Sequence, residues 1–316
     1  MNFGFDKKIE KKSALNLISK TITLKCYQLH YVINTSLRTK IRGVNTMRTE
    51  NRFKVLVLVG SPKGKAGNGY SAIQNLEAEM SKLGPIQFTY LFLNKVDLKP
   101  CLGCFACVSR GENLCPLKDD REKIEALIDE HDGIILSSPG YVQNVSGLMK
   151  NFSDRFAYTH HRPKYFQKKV LLVANGGAGL DKTLSALSLA IGGPKVVGKL
   201  AVLSPPWPLK DKAKSKNEKN TRAAATKFYQ SLKDNVLPSP TLTDLLMFKF
   251  FKATSKECQT WLPADYEYYS ELEGYYYRVK VNPVKRGVAA VIVRLVGFLM
   301  RDIGPPKLQG AQEKQE

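Results

Sequence analysis

Phe53-Lys54-Val55-Leu56-Val57-Leu58-Val59 runs directly into Gly60-Ser61-Pro62. The run is short, nearly all apolar and rich in β-branched residues, and it stops at a glycine. That is the pattern of a strand buried on both faces of a parallel sheet, because a strand with one wet face would alternate polar and apolar residues. The chain beyond it repeats the motif. A helix is predicted from about Tyr70 to Leu83, closed by Gly84-Pro85, and a strand follows from Ile86 to Leu93. Asp119-Asp120 opens a helix that reaches about His131, its carboxylates at the positive end of the helix dipole. Strands over Gly133–Ser138, Val170–Ala174 and Val196–Leu203 alternate with helices over about Ser146–Phe156 and Leu180–Ile191.

Strands alternating with helices imply a parallel sheet with right-handed crossovers. The pattern predicts an α/β protein with a flavodoxin-like, doubly wound, five-stranded parallel sheet over 51–206, its ligand outside the carboxyl ends of the strands. Residues 1–50 form a basic N-terminal extension, and residues 207–316 a mostly helical, basic C-terminal one. Met47, just before the first strand, is a candidate start, with an amphipathic leader as the other reading. The N-terminus does not read as a signal peptide, since Lys20 and Lys25 break the stretch after its first lysines.

The 316 residues carry a formal net charge of +21. Such a balance favours acidic partners, but much of it sits before residue 51 and between Lys210 and Arg222 rather than on a folded surface with interleaved aromatics. A nucleic-acid partner is therefore not expected. No run is long and apolar enough for a transmembrane helix; Gly287–Met300 is short and interrupted by Arg294.

Gly60-Ser61-Pro62-Lys63-Gly64-Lys65-Ala66-Gly67-Asn68-Gly69-Tyr70-Ser71 joins the first strand to its helix. Its glycines permit close approach of a phosphate to backbone amides at a helix N-terminus, and Ser61, Asn68 and Ser71 can donate to it. It is neither a Walker A loop nor a Gly-x-Gly-x-x-Gly fingerprint. The competing reading is a plain flexible connection. Two further loops end strands: Ser138-Pro139-Gly140-Tyr141, followed by Ser146 to Arg155, and Asn175-Gly176-Gly177-Ala178-Gly179. Together these segments resemble the NADPH-dependent FMN reductase family over about half of the chain. The resemblance implies an FMN site in which Ser61, Lys63, Asn68, Gly69 and Ser71 hold the phosphate. Pro139, Gly140, Tyr141, Val142 and Asn144 would lie against the isoalloxazine, with Asn175, Gly176, Gly177 and Gly179 closing the other side. Tyr141 reads otherwise as an ordinary buried aromatic. Lys150, Asp154 and Arg155 read as a helix-surface salt-bridge set.

Four of the six cysteines crowd into Cys101-x2-Cys104-x2-Cys107-x7-Cys115-Pro116. This clustering fits an intracellular metal or redox loop better than a secreted disulfide framework. Thiolates so spaced can wrap a cuboidal cluster. The motif is similar to that of iron–sulfur flavoproteins, a branch of the same family, which implies Cys101, Cys104, Cys107 and Cys115 as ligands of one [4Fe–4S] cluster. Redox-active thiols and structural zinc are the other readings. His160-His161-Arg162-Pro163 reads as a solvated loop, with a flavin-edge role as the alternative; His30 and His131 read as structural.

The function implied is an FMN-dependent oxidoreductase that takes electrons from NAD(P)H and passes them to a small-molecule or redox-protein acceptor. The alternative is an iron–sulfur flavoprotein electron carrier with little NAD(P)H activity. No catalytic acid or base is required. The resemblance also implies a homo-oligomer, and a cytoplasmic location is expected. Asp244–Lys252 and Val284–Arg301 mix apolar and cationic residues. They suit peripheral contact with an anionic membrane, or packing on the flavin domain or a second subunit.

Overall fold

In the computed structural model, residues 52–234 and 236–299 are described; segment 1–50, with Met47 and His30, lies outside them, as does Arg301. Five strands form one sheet: β1 (Phe53–Val59), β2 (Ile86–Phe92), β3 (Gly133–Pro139), β4 (Lys169–Gly176) and β5 (Lys195–Leu203). They pair in the order β2-β1-β3-β4-β5, and every neighbouring pair is parallel. This is the predicted doubly wound order, which reverses direction between β1 and β3. The helices are α1 (Asn68–Ser81), α2 (Ala106–Ser109), α3 (Arg121–Glu130), α4 (Gly147–Arg155), α5 (Tyr158–His161), α6 (Leu180–Leu187), α7 (Asp211–Lys233), α8 (Leu242–Glu257), α9 (Pro263–Ser270) and α10 (Pro283–Leu299).

The absence of alternation in β1 now has its reason. Val55, Val57 and Val59 pack in one layer with Ile73, Leu76 and Met80 of α1 and Phe228 and Leu232 of α7. Leu56 and Leu58 pack in the other layer with Ile124 of α3, Met149 and Phe152 of α4 and Leu184 of α6. Both faces are dry, so both must be apolar.

The charged stretch Lys210–Lys219 is mostly the first half of α7. Lysine, glutamate and alanine are good helix formers, so the helix extends into solvent, and only its second half carries apolar residues to bury. Beyond it, Tyr268, Tyr269, Tyr275, Tyr276 and Tyr277 pack. Phe248 of α8 contacts Tyr269, Tyr275 and Tyr276, and Phe166 of the main domain contacts Tyr276 and Tyr277. The hydroxyls of Tyr268 and Tyr269 donate to the carbonyls of Pro163 and His161, both at 2.7 Å. Among the described residues, no helix is long and apolar enough to cross a membrane.

Candidate functional site

The sheet topology brings the three predicted loops to one edge. Gly60 N donates to Ser137 O at 2.8 Å, binding the end of β1 to β3. Gly140 N donates to Asn175 O at 2.8 Å, binding β3 to β4. Ser146, which sequence reasoning saw only as a helix start, is a pin between loops: its hydroxyl donates to Gly60 O, and its amide donates to Ser138 Oγ at 2.9 Å.

At the head of α1 no side chain caps the helix, whose N-cap is Gly67. Tyr70 N turns back onto Gly67 O at 2.9 Å, which leaves the amides of Asn68 and Gly69 at the helix head to some other acceptor. Backbone approaches closely here. A Cβ on Gly67 would stand 2.8 Å from Ser61 Oγ, and one on Gly69 would stand 2.7 Å from Asn175 Oδ1. The loops after β1 and β4 thus meet at Gly69, where any larger residue would separate them. Ser61 and Asn175 are buried, whereas Lys63, Asn68 and Ser71 face solvent. Asn175 Nδ2 donates to Ser204 Oγ at 3.3 Å, but its Oδ1 is buried without a hydrogen-bond partner. A buried unpaired amide oxygen is uncommon enough to call for a donor.

The loop after β3 closes as a tight turn. Tyr141 and Asn144 exchange two backbone hydrogen bonds of 2.9 Å, and the two residues between them, Val142 and Gln143, have φ of 50° and 59°. Asn-Gly suits such a turn; a β-branched residue at positive φ is strained. Val142 is nonetheless fully exposed, so its burial does not hold the turn. The strain is offset by neighbours: Lys182 Nζ donates to Gln143 Oε1, and Thr183 Oγ1 donates to Asn144 O at 3.4 Å. Strained backbone of this kind gathers at ligand sites. Tyr141 is 46% exposed, so it is not an ordinary buried aromatic. Gly177 is exposed, and Gly176 and Gly179 are half-buried beside it.

The cysteine loop lies between β2 and α3. Cys101, Cys104, Cys107 and Cys115 are free and line one small hollow together with Phe105 and Arg155. That hollow holds about 20 Å³, roughly room for one water. Among the described residues, no three His, Cys, Asp or Glu side chains are grouped so as to hold a metal ion. The four thiols share this lining, and Cys101 and Cys104 are exposed while Cys107 and Cys115 are half-buried. Burial, and then the neighbouring Cys115, Cys101 and Cys104, push the Cys107 thiol up.

The residues that brace this loop are those sequence reasoning misplaced. Lys150 and Asp154 do form an exposed i,i+4 pair. Arg155 does not belong with them: its guanidinium is buried and pairs with the buried Asp119, with Nη2 3.0 Å from Oδ1. It also donates to Lys99 O at 2.7 Å and reaches Cys115 Sγ at 3.8 Å. Asn151, one helical turn earlier, accepts from Cys101 N at 3.1 Å and donates to Leu98 O at 2.8 Å. Burial would raise the Asp119 carboxyl. Arg155 and the amides of Arg121 and Lys99 outweigh it and hold the group below the usual range.

His160-His161-Arg162-Pro163 is likewise no solvated loop. Arg162 is buried and donates to Val108 O at 2.8 Å, to Cys107 O, and to Glu112 Oε2 at 3.1 Å. It pairs with Asp265 of α9, which also accepts from His161 Nδ1 at 2.7 Å. One guanidinium thus clamps the cysteine helix α2 to the C-terminal extension. An i,i+4 pattern could not announce this, because the partner lies 103 residues away. His131 is structural as read, buried between Leu127 O and Thr89 Oγ1.

Residues 53–204, from the first residue of β1 to the residue after β5, match the family model described as NADPH-dependent FMN reductase. This domain belongs to that family. Among relatives of the reductase-family domain, an iron-sulfur flavoprotein of Archaeoglobus fulgidus is 32% identical over 111 residues, which is 35% of this chain and 49% of that protein. The match thus spans about half that relative's length. An iron-sulfur flavoprotein of Clostridioides difficile is 27% identical over 208 residues, 64% of this chain and 89% of the relative. A solved structure of an NADH:FMN oxidoreductase in its apo form superimposes with a TM-score of 0.40 at 19% identity, covering 60% of this chain and 98% of the other.

Proposed function

We propose that this protein is an FMN-dependent oxidoreductase that draws electrons from NAD(P)H and delivers them to a small-molecule or redox-protein acceptor. The observation that carries the reading is the buried, unpaired Asn175 Oδ1 beside the uncapped head of α1. Helix amides suit a phosphate and a lone amide oxygen suits a hydroxyl donor; a phosphorylated ribityl chain offers both. The family of residues 53–204 supports the same cofactor. Ser61, Lys63, Asn68, Gly69 and Ser71 would hold the phosphate. Pro139, Gly140, Tyr141, Val142 and Asn144 would line the ring, and Asn175, Gly176, Gly177 and Gly179 would close the site. Bound FMN supplies the redox chemistry, accepting hydride from reduced nicotinamide. The chain binds and orients it, and the rigid turn at Val142-Gln143 keeps one wall fixed. Anaerobic mixing with NADPH and with NADH tests the reading: one of them should bleach the flavin band at a catalytically useful rate. Failure to retain FMN when the protein is supplied with excess cofactor would sink it.

The shared hollow of the four thiols favours a second reading, an electron carrier with a [4Fe–4S] cluster on Cys101, Cys104, Cys107 and Cys115 and little NAD(P)H turnover. The names of the Archaeoglobus and Clostridioides relatives support it. Assays of iron and acid-labile sulfide decide between the two: FMN without iron returns the cysteines to redox or structural thiols. A cytoplasmic location suits free, exposed thiols such as Cys101 and Cys104. A homo-oligomer is supported by Leu102, Phe105 and Val142, apolar side chains left exposed on the cysteine and site loops; light scattering giving a monomer mass would exclude it.

A further inference from the structure

The C-terminal helix α10 is apolar on two sides. One side packs through Ala289, which is fully buried, along α8. The other bears Val284, Val288, Val291 and Leu295, which are 71%, 42%, 66% and 57% exposed. Their spacing of i, i+4, i+7 and i+11 sets them in one stripe along the helix. A contiguous exposed apolar stripe marks a surface that something covers.

The groove that α10 forms with α8 is cationic. Between α8 and α10 lies a hollow of about 430 Å³ with Phe248 and Val293 on its floor. Lys249, Lys252, Lys256, Arg286 and Arg294 line it, against the single carboxylate of Glu273. At about 100° per residue, Arg294 flanks the stripe on the groove side and Lys285 flanks it on the other. From Pro283 to Leu299 there is no Asp or Glu. A second copy laid along α10 would set Lys285, Arg286 and Arg294 against the same cations, so charge argues against self-pairing. An apolar stripe edged by cations, on a helix that does not span a bilayer, is complementary to an anionic lipid surface.

We propose that α10, with the cationic groove it shares with α8, docks this protein on an anionic membrane surface. The stripe enters the boundary between headgroups and acyl chains while Lys285 and Arg294 at its edges meet lipid phosphates, and Lys249, Lys256 and Arg286 of the groove add to the attraction for an anionic surface. Lys252 Nζ already donates to Leu272 O, so it serves the fold. The proposal rests on none of the flavin residues and stands or falls apart from the redox reading.

Flotation of the full-length protein tests it, with vesicles of phosphatidylcholine alone and of phosphatidylcholine mixed with phosphatidylglycerol. The protein should float with the mixed vesicles, not with the neutral ones, and raised salt should release it. At about fivefold per cation, Lys256→Gln/Arg286→Gln/Arg294→Gln should weaken binding on the order of a hundredfold. Val291→Ser/Leu295→Ser should weaken it at constant charge; all five positions are at least partly exposed, so both variants should fold. No flotation, equal flotation with neutral vesicles, or full binding by the triple variant overturns the proposal. So does a stripe variant that floats normally but loses an oligomer in ultracentrifugation, which would assign the face to a second copy.

Discussion

At the carboxyl edge of β1, β3 and β4 the loops are held by backbone contact: Gly69 against Asn175, Gly140 N on Asn175 O, and Ser146 on Gly60. The cysteine loop, by contrast, is held by two buried guanidinium groups, Arg155 on Asp119 and Arg162 on Asp265. The first region needs small residues where loops meet, and it leaves the Asn175 Oδ1 acceptor unpaired. The second needs charges brought together across 36 and 103 residues of sequence, and it satisfies them fully. One edge is held by close backbone approach, the other by buried charge.

The comparison can be broken by removing the long-range charges. Asp265→Ala leaves Arg162 buried with only Glu112 as its counter-charge and should cost about 3–5 kcal/mol of stability, read as a fall in the urea midpoint. A cost under about 1 kcal/mol would mean that the clamp is ornamental. The backbone-held edge should respond in ligand binding instead. Gly69→Ala drives a methyl group into the Asn175 amide, so FMN affinity should fall about tenfold or more. Asn175→Ala removes an oxygen that is already unpaired and one 3.3 Å bond to the half-buried Ser204 Oγ, so it should weaken FMN retention while moving the stability of the cofactor-free protein by only about 1 kcal/mol. Loss of both folding and binding in the second variant would erase the distinction.

Acid sharpens the contrast further. Asp119 is held below its ordinary range, so it contributes stability that is fully present above the unfolded carboxyl value of about 3.9 and is lost as pH falls through its folded value. Glu112 shifts in the same direction: burial opposes ionisation, but a backbone hydrogen bond, Arg162 and Lys164 outweigh it. An acid titration followed by a probe at the cysteine loop should show that loop loosening, and Asp119→Asn should flatten the limb. The smallest effect is expected at Lys150→Ala, which removes an exposed i,i+4 pair and should cost about 0.3–0.5 kcal/mol in the same urea assay.

By itself the sequence determined the five strands, their flanking helices and the three loops at one edge. These follow from short-range patterns: a strand buried on both faces must be apolar throughout, and a loop meeting a helix head closely must be rich in glycine. It also marked the four cysteines as one unit. Only the tertiary structure decided that Arg155 and Arg162 are interior clamps rather than surface charges. A guanidinium tolerates burial only where carboxylates and carbonyls converge on it, and their convergence is a property of the folded chain. The same holds for α10. Its composition showed apolar and basic residues together, but which of its two apolar sides is covered by α8 and which remains open was fixed when the extension packed against the domain.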